Sequence, residues 1–569
     1  MYGLNIFTHP LAKMLKFPTR IRDHTNIEYE ERILQRPYIG DQLDYDLKCW
    51  TYERPIVIKA PTGAGKTWFV INKILPRAIK RSEYVLIISN RNPLNLSYKE
   101  SIAKVTGKDT YYTDEGLQSA SEFGNVFIVN YQGLASFLQT HKHINFSYVI
   151  CDECHYFVQD ATFSDCTGSV LDLIPRKFEF AVRIYISATI DEVLPYITRA
   201  ELYDCHVDGD GQVYWKDTNL ARTYEWDYPL PIVYRMDSDY SRVTLQFYED
   251  IDYMVEYLKT LPSKFMVFCN SKKECAKIGD AVGDSLVINS EYLHEHPEVL
   301  KKLVEKEAFD EKCLATTSVF SNGNNIFSKS VRSVIITLLD QTELIQMAGR
   351  RRIYYSDPSD GFTLYIPIPS PGQIQQQLHL KRELDAEIKK CKQDSIYLMS
   401  VIKDGIGDYS KEIRSVFEVD WKSQKFKLNY LCEDKLYSEI KYLEYIYALI
   451  SEAGKEAYCD MIARLFNKEF DVDMLFDTLE NRAEELKVFI QGYGFPLTAD
   501  EFEEFKSDFF HERVRLFGAS KADNTGSNRK SPGIRAINNR LAESDIDMQI
   551  GCENGTYVLY DNSESEAAE

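Results

Sequence analysis

Five short runs rich in β-branched and aromatic residues, "IVIKA", "YVLIIS", "VFIVN", "YVICDE" and "RIYISAT", recur between residues 55 and 196, and helix-like stretches separate them. Strands that alternate with helices return in the same direction, so this pattern predicts a parallel sheet with crossover connections. A second set, "KFMVFCNS", "SLVINS", "CLATTS", "SVIITLL" and "FTLYIPI", repeats the arrangement between residues 244 and 368. The expected fold class is therefore α/β, with two parallel-sheet domains in tandem. After Pro371 the spacing becomes helical, as in "LKRELDAEIKKCKQDSIYLMSVI" and "KLYSEIKYLEYIYALI", and a mainly α-helical C-terminal region is expected.

A chain of 569 residues is too long for one core. The composition shifts suggest an N-terminal segment over 1–50, a first α/β domain over 51–235, a second over 236–370 and a helical accessory domain over 371–520. Residues 521–569 read as a linker, a short basic helix, a hairpin turning at Asn554-Gly555 and an acidic tail. That helix and hairpin fit either a small winged-helix-like unit or a simple capping hairpin. The bridge over 201–250 holds strand-like patches such as "RVTLQFY" and reads as a linker feeding the second sheet.

A formal charge of -20 excludes a surface that is basic all over, so any contact with nucleic acid must come from local basic stripes. Twelve cysteines are scattered without the spacing of a disulfide scaffold or of paired zinc ligands, which suggests a reducing compartment. No run of about 18 apolar residues occurs, so no membrane span and a cytoplasmic location are expected.

The strand "IVIKA" leads into "PTGAGKT", and a helix-like segment follows. Strand, glycine loop and helix is the order a phosphate cradle needs: backbone N–H groups of Gly63, Ala64 and Gly65 for phosphate oxygens, Lys66 for their charge, and the Thr67 hydroxyl for a Mg²⁺ ion. The usual string begins with glycine where this chain has Ala60. A turn between two core elements can carry similar letters, so a second motif has to decide. "YVICDECH" supplies it by setting Asp152 and Glu153 just past an apolar strand, one carboxylate to hold the metal and the other to deprotonate an attacking water. Cys151, Cys154 and His155 have some flavour of a metal cluster, but no second CxxC accompanies them, and the cysteines read as core fillers.

With these two motifs the chain resembles a superfamily 2 helicase or translocase with a DEAD/DEAH-type box written "DECH", of the kind found in bacteriophages and mobile elements. The similarity continues in order. "SNR" is similar to motif Ia, "VNYQGL" to the segment before the acidic box, "SAT" to motif III, "MVFCNS" to motif IV, "TTSVFSNGNNI" to motif V and "QMAGRRR" to motif VI. Motif VI departs from the family form at its last position, where Ile353 stands.

The resemblance implies two RecA-like domains, ATP and Mg²⁺ as cofactors, and hydrolysis of ATP stimulated by nucleic acid. It implies catalytic roles for Lys66, Glu153, Gln346, Arg350 and Arg352. Asp152 and Thr67 would hold the metal, and Gly323 and Asn325 would join Gly63, Ala64, Gly65 and Lys66 around the nucleotide. Contacts to nucleic acid would come from Asn90, Arg91, Gln132, Ser271, Lys272 and Thr317, while Ser187, Thr189 and His155 would couple the two sites. Single-stranded DNA is the favoured track, with RNA as the alternative, and replication or defence proteins are the implied partners. Two other readings stay open: a nucleotide-switched clamp on DNA, and the motor subunit of a restriction or defence assembly.

Overall fold

The computed structural model describes residues 30–561 except 36–37, 91–95, 109–115, 118–119, 203–204, 208–212, 216–230, 318–319, 321–324, 355–356, 421–424, 478, 518–532, 545 and 554. The acidic tail, the linker ahead of the basic helix and most of the motif V loop thus lie outside the described residues. The chain divides into two compact units, one of residues 1–239 with 371–457, the other of residues 240–370 with 458–569.

In the first unit the strands are β1 (Glu30–Ile33), β2 (Ile56–Lys59), β3 (Tyr84–Ser89), β4 (Glu122–Phe123), β5 (Val126–Val129), β6 (Phe146–Asp152), β7 (Val182–Ser187), β8 (Cys205–Val207), β9 (Val213–Trp215) and β10 (Ile232–Arg235). Eight of them form one sheet in the order β1-β10-β2-β7-β6-β3-β5-β4, and β8 pairs with β9 alone. Every pairing in the large sheet is parallel except the edge pair β4 and β5. The central strands are apolar at successive positions because both faces are covered. Ile56, Ile58, Val85, Ile87, Ile150, Ile184 and Ile186 pack into one cluster, while Val57, Leu86, Ile88, Val149 and Tyr185 are buried on the other face. A buried ion pair enters this interior. The Arg183 guanidinium donates to the Glu201 carboxylate at 2.9 Å and to the carbonyls of Tyr52 and Ala181 at 3.0 and 2.9 Å, and the Tyr185 hydroxyl donates to Glu201 at 2.7 Å.

The second unit holds β11 (Val243–Tyr248), β12 (Lys264–Phe268), β13 (Ser285–Ile288), β14 (Cys313–Thr316), β15 (Val331–Ile336) and β16 (Phe362–Pro367). Together with β19 (Leu475–Asp477) they make a parallel sheet in the order β13-β14-β12-β15-β16-β11-β19. Between them in sequence lies the antiparallel pair β17 (Phe417–Asp420) and β18 (Lys425–Leu428) of the first unit. This is the expected α/β class with two parallel sheets in tandem and a largely helical remainder.

Two expectations change. In the bridge over 201–250 the strand-like patch "VTLQFY" is β11, next to the edge strand β19 of the second sheet, but "IVYR", read as linker, is β10, which slots between β1 and β2. The helical region over 371–520 is also divided, since its first part belongs to the first unit and the part from Tyr458 to the second. The helix Tyr430–Leu465 is interrupted near this division, at Gly454, whose φ of 82° and ψ of 171° are not helical.

The last part of the second unit has its own core. Helices Leu479–Gly492, Ala499–Phe517 and Ile534–Glu543 pack Leu486, Ile490, Phe505, Phe509, Leu516, Ile537 and Leu541 against Met548 and Ile550 of the hairpin β20 (Met548–Glu553) and β21 (Thr556–Asp561). Gly555 turns that hairpin with φ of 83°, a conformation glycine adopts without strain. Leu497, between the first two of these helices, bridges to Tyr557 with reciprocal N–H···O bonds of 2.9 and 2.8 Å. Among the described residues, no helix is long and apolar enough to cross a membrane.

Candidate functional site

The first unit brings four of the sequence motifs to the carboxyl ends of adjacent strands. Register sets Lys59 of β2 opposite Ser187 of β7, Ile186 of β7 opposite Asp152 of β6, and Asp152 opposite Ser89 of β3. The glycine loop, the acidic pair, "SAT" and "SNR" therefore emerge side by side on one edge, where open parallel sheets bind ligands.

Leaving β2, the backbone passes through Gly63 at φ of 91° and Gly65 at φ of 86°, so the turn needs glycine at both. Ala60 is not in that region and donates its N–H to the Ser187 carbonyl at 3.2 Å. A methyl group there costs nothing, which explains the departure from the usual string. The helix after the loop starts at Lys66, passes through a π-helical turn over Val70–Ile74 and ends at Lys80. Lys66 is only 8% exposed, and its ammonium donates to the carbonyls of Ala60 and Pro61 at 2.7 and 3.1 Å. Thr67 is exposed beside it.

Asp152 ends β6, nearly buried, and its carboxylate accepts the Glu153 N–H at 3.1 Å. Glu153 has φ of 50°, a left-handed backbone that a glutamate adopts at a cost and that clusters at functional sites. The strain is held by neighbours: the next N–H, that of Cys154, bonds the Ile186 carbonyl at 3.0 Å, and the Tyr131 hydroxyl donates to the Asp152 carbonyl at 2.9 Å. The buried Cys154 thiol feels both Asp152 and Lys66. Burial pushes its pKa well up, Cys151 and Asp152 add to that, and the Lys66 charge opposes it. Burial likewise keeps Cys151 protonated, as suits a core residue. Among the described residues no group of three or more His, Cys, Asp or Glu side chains could hold a metal by itself.

A chain of contacts links the acidic pair to β7. His155 Nδ1 lies 3.4 Å from the Glu153 carboxylate and 2.9 Å from the Ser187 hydroxyl. Ser187 Oγ in turn accepts the Thr189 N–H at 3.1 Å and donates to the Thr189 carbonyl at 3.2 Å. The three residues expected to couple sites are thus joined by hydrogen bonds, and His155 brings them into contact with the expected base. Hydroxyl and carboxylate oxygens, a lysine and a helix N-terminus make a donor set suited to a Mg²⁺-bound phosphate chain.

The Asn90 amide donates to the Asp160 carboxylate at 3.0 Å, and burial pushes the Tyr156 hydroxyl pKa up, a rise that Ser164 and Gln132 oppose. Arg91 lies outside the described residues.

In the second unit, Gln346 sits on the helix Gln341–Ala348, and both Gln346 and Arg350 are buried. Arg350 and Arg352 bracket a short parallel bridge to the motif V strand: the Ile326 N–H donates to the Arg350 carbonyl and the Arg352 N–H to the Ile326 carbonyl, each at 2.9 Å. Arg352 Nε also donates to Asn325 Oδ1 at 3.0 Å, joining motifs V and VI within this unit. Gly323 falls outside the described residues. Thr317 follows β14 and donates its N–H to the Ile288 carbonyl at 3.4 Å. Ser271 caps the helix Lys272–Val282 by accepting the Glu274 N–H, and Lys272 pairs with Glu291 on the surface.

Two features went unread in the sequence. Arg351, between the two expected arginines, is a core residue whose guanidinium pairs with a buried Asp360 and donates to the Val331 carbonyl at 2.9 Å. The second is the helix Gly40–Asp46 and the residues before it. The Ile39 N–H donates to the Ala64 carbonyl at 3.1 Å, Tyr38 lies against Gly65, and Gln42 bonds the Gln35 N–H at 2.7 Å and the Tyr38 carbonyl at 2.9 Å. A Cβ on Gly40 would stand 2.5 Å from the Trp68 ring, so the glycine lets this helix press onto the one after the loop. The only local signal was a glycine opening a short polar helix.

Residues 25–192 match the family model described as Type III restriction enzyme, res subunit. That stretch holds the glycine loop, the acidic pair and Ser187 to Thr189, and it stops before the second sheet. No curated protein matches the chain. Among solved structures, the chain is similar to Dbp5 of S. cerevisiae bound to RNA and ADP BeF3, with 14% identity, a TM-score of 0.40, and 61% of this chain and 88% of that one covered. It is also similar to Mss116p bound to ssRNA and AMP-PNP, with 11% identity, a TM-score of 0.40, and coverage of 68% and 93%.

Proposed function

We propose that this chain is an ATP-dependent helicase or translocase acting on nucleic acid, with single-stranded DNA as the first track to test. The observation that carries the proposal is the meeting of the glycine loop, Asp152 and Glu153 at adjacent strand ends, with Glu153 held in a left-handed backbone beside His155 and Ser187. In this reading Lys66 and the loop N–H groups bind the phosphate chain, and Thr67 and Asp152 hold Mg²⁺, which when bound offsets negative charge on the phosphates. Glu153 takes a proton from water as its oxygen bonds to the γ-phosphorus and the bond to the β-phosphate oxygen breaks, leaving ADP and phosphate. Arg350 offsets charge that develops on the transferred group. His155, Ser187 and Thr189 sense the change at Glu153, and Asn90 and Gln132 hold the strand backbone. The helices and hairpin over 479–561, in the order helix, bridge, helix, helix, hairpin, support the winged-helix-like reading over the capping hairpin.

The test is steady-state ATP hydrolysis without polymer and with single-stranded DNA, single-stranded RNA or duplex DNA, using Glu153→Gln as the blank. Stimulation by one polymer is the expected result and names the track. Hydrolysis indifferent to every polymer, or equal in the blank, overturns the proposal. The match of residues 25–192 to the res-subunit family favours a second reading, a motor within a restriction or defence assembly. A stable complex with a nuclease or modification subunit on copurification from the native host would select it.

A further inference from the structure

The segment after the acidic box carries a phenylalanine that the readings above leave unused. Phe163 ends the short helix Asp160–Thr162 and is 79% exposed. Single exposed aromatics are common and need no explanation by themselves. What distinguishes Phe163 is the anchoring on both sides of it. On one side, Asp160 accepts from Asn90 at 3.0 Å. On the other, Ser164 Oγ accepts from the Tyr156 hydroxyl at 3.2 Å, near Gln132. The Ser164 carbonyl accepts from Asn429 at 2.9 Å, and the N–H groups of Phe163 and Ser164 both return to the Asp160 carbonyl at 2.9 Å. The exposed ring therefore stands on a braced turn close to Asn90 and Gln132, the two described residues of this unit expected to hold a strand backbone. By contrast the exposed Phe180 precedes β7, at the opposite edge of the sheet, and packs on Tyr52 with ring centroids 5.8 Å apart.

We propose that Phe163 stacks on a nucleobase of the bound single strand. The chemistry of its surroundings assigns it the base rather than the phosphate, because the ring is apolar and the exposed Asp165 beside it would repel an anion. A braced turn loses little freedom when a base settles on it, and such stacking accepts any base because each has a π face. The brace also leads inward: Tyr156 stacks on Tyr131 with centroids 4.5 Å apart, and Tyr131 bonds the Asp152 carbonyl.

This inference rests on the strand-binding reading above, and the test separates the two. Fluorescence anisotropy of the full chain would be measured with oligo-dT, with oligo-rU, and with an abasic deoxyribose-phosphate oligomer of the same length. Stacking predicts that Phe163→Ala weakens binding of the favoured base-bearing oligomer by roughly 5- to 100-fold, that Phe163→Trp restores it, and that polymer-free hydrolysis stays unchanged. It further predicts that removing the bases weakens the wild type but leaves the alanine variant nearly unaffected. Equal affinity of wild type and Phe163→Ala, or equal sensitivity of both to base removal, overturns the stacking role and leaves strand binding standing. Failure of the wild type to bind any of the oligomers overturns both.

Discussion

The run "GRRR" in "QMAGRRR" offers three arginines, and the structure separates them by burial and partner. The Arg351 and Asp360 side chains are both 0% exposed. Arg351 Nη2 donates to Asp360, Nε to the Val331 carbonyl and Nη1 to the Arg352 carbonyl, while Asp360 also accepts the Tyr354 N–H at 2.7 Å. Arg351→Ala removes every guanidinium bond and leaves a carboxylate in the interior with a backbone N–H from Tyr354 and the more distant charge of Arg332. Breaking a buried pair from one side costs about 3–5 kcal/mol, a large part of the roughly 5–15 kcal/mol that holds a domain folded. At about 2–4 °C per kcal/mol for a unit of this size, melting should fall by roughly 6–20 °C. Arg351→Met combined with Asp360→Leu removes both charges and should recover much of the loss, though not all, because the Tyr354 N–H then lacks its acceptor.

The pair also has a pH signature. Burial by itself would raise the Asp360 carboxyl, but Arg351 and the Tyr354 N–H outweigh it and hold the pKa below its ordinary 3.8. A depressed folded pKa contributes stability that is fully present above the unfolded value and is lost as pH falls through the folded one. The wild-type second unit should therefore keep this contribution down to pH values below 3.8. In Arg351→Ala, burial acts without the guanidinium, so acid unfolding should begin at higher pH. Calorimetry and hydrogen exchange across β15 and β16 would follow both effects. Wild-type melting in Arg351→Ala together with abolished ATP turnover would refute the reasoning and make Arg351, not Arg350, the residue that acts on phosphate.

Glu153→Gln should keep ATP binding and lower turnover by roughly 10²- to 10⁴-fold, read by equilibrium binding of a fluorescent nucleotide beside steady-state hydrolysis; undiminished hydrolysis would remove the base assignment. Lys66→Ala should weaken nucleotide binding and turnover together, and a variant that loses turnover alone would limit Lys66 to the chemical step. Asn429→Ala deletes an amide that accepts the Gly168 N–H at 3.2 Å and donates to the Ser164 and Ser415 carbonyls at 2.9 and 3.1 Å. Urea unfolding should show a loss of about 2–4 kcal/mol from the groups left unsatisfied, and a loss below about 0.5 kcal/mol would show that water replaces the amide without cost.

The sequence made the central strands easy to find because they are covered on both faces and therefore apolar at consecutive positions. β1 was hidden by the same physics: "EERI" alternates between half-buried and exposed positions at a sheet edge and carries little apolar signal. β10 reads as part of a linker because its partners, β1 and β2, lie far away in sequence and nothing local announces a strand inserted between them. The loop glycines, Lys66, Asp152 and Glu153 were legible because phosphate chemistry restricts which residues can stand there. Arg351 was not, since an arginine in a basic run ordinarily signals solvent or ligand, and only the distant Asp360 makes it a core residue. The split of the helical region was equally silent: helices with similar apolar spacing continue on both sides of it.

That split changes how the helical segment relates to the strand-end site. Residues 371–457 belong with the glycine loop in one compact unit, and several polar contacts tie them to the sheet domain. Tyr430 donates to Asp172 at 3.0 Å with Arg199 4.2 Å above its ring, Gly168 leaves room for that ring, and Lys435 donates to Gln159 at 3.0 Å. Gln159 in turn donates to Glu192 at 2.7 Å, three residues past Thr189. The helix that follows the acidic pair is therefore fastened to "SAT" through His155 and Ser187 at its start, and to the insert through Gln159 and Ser164 at its end. A shift of Glu153 that moves His155 would load both fastenings at once. Asn429 therefore braces the turn that carries Phe163 through the Ser164 carbonyl, while Lys435 ties the same helical segment to the end of the helix Tyr156–Gln159.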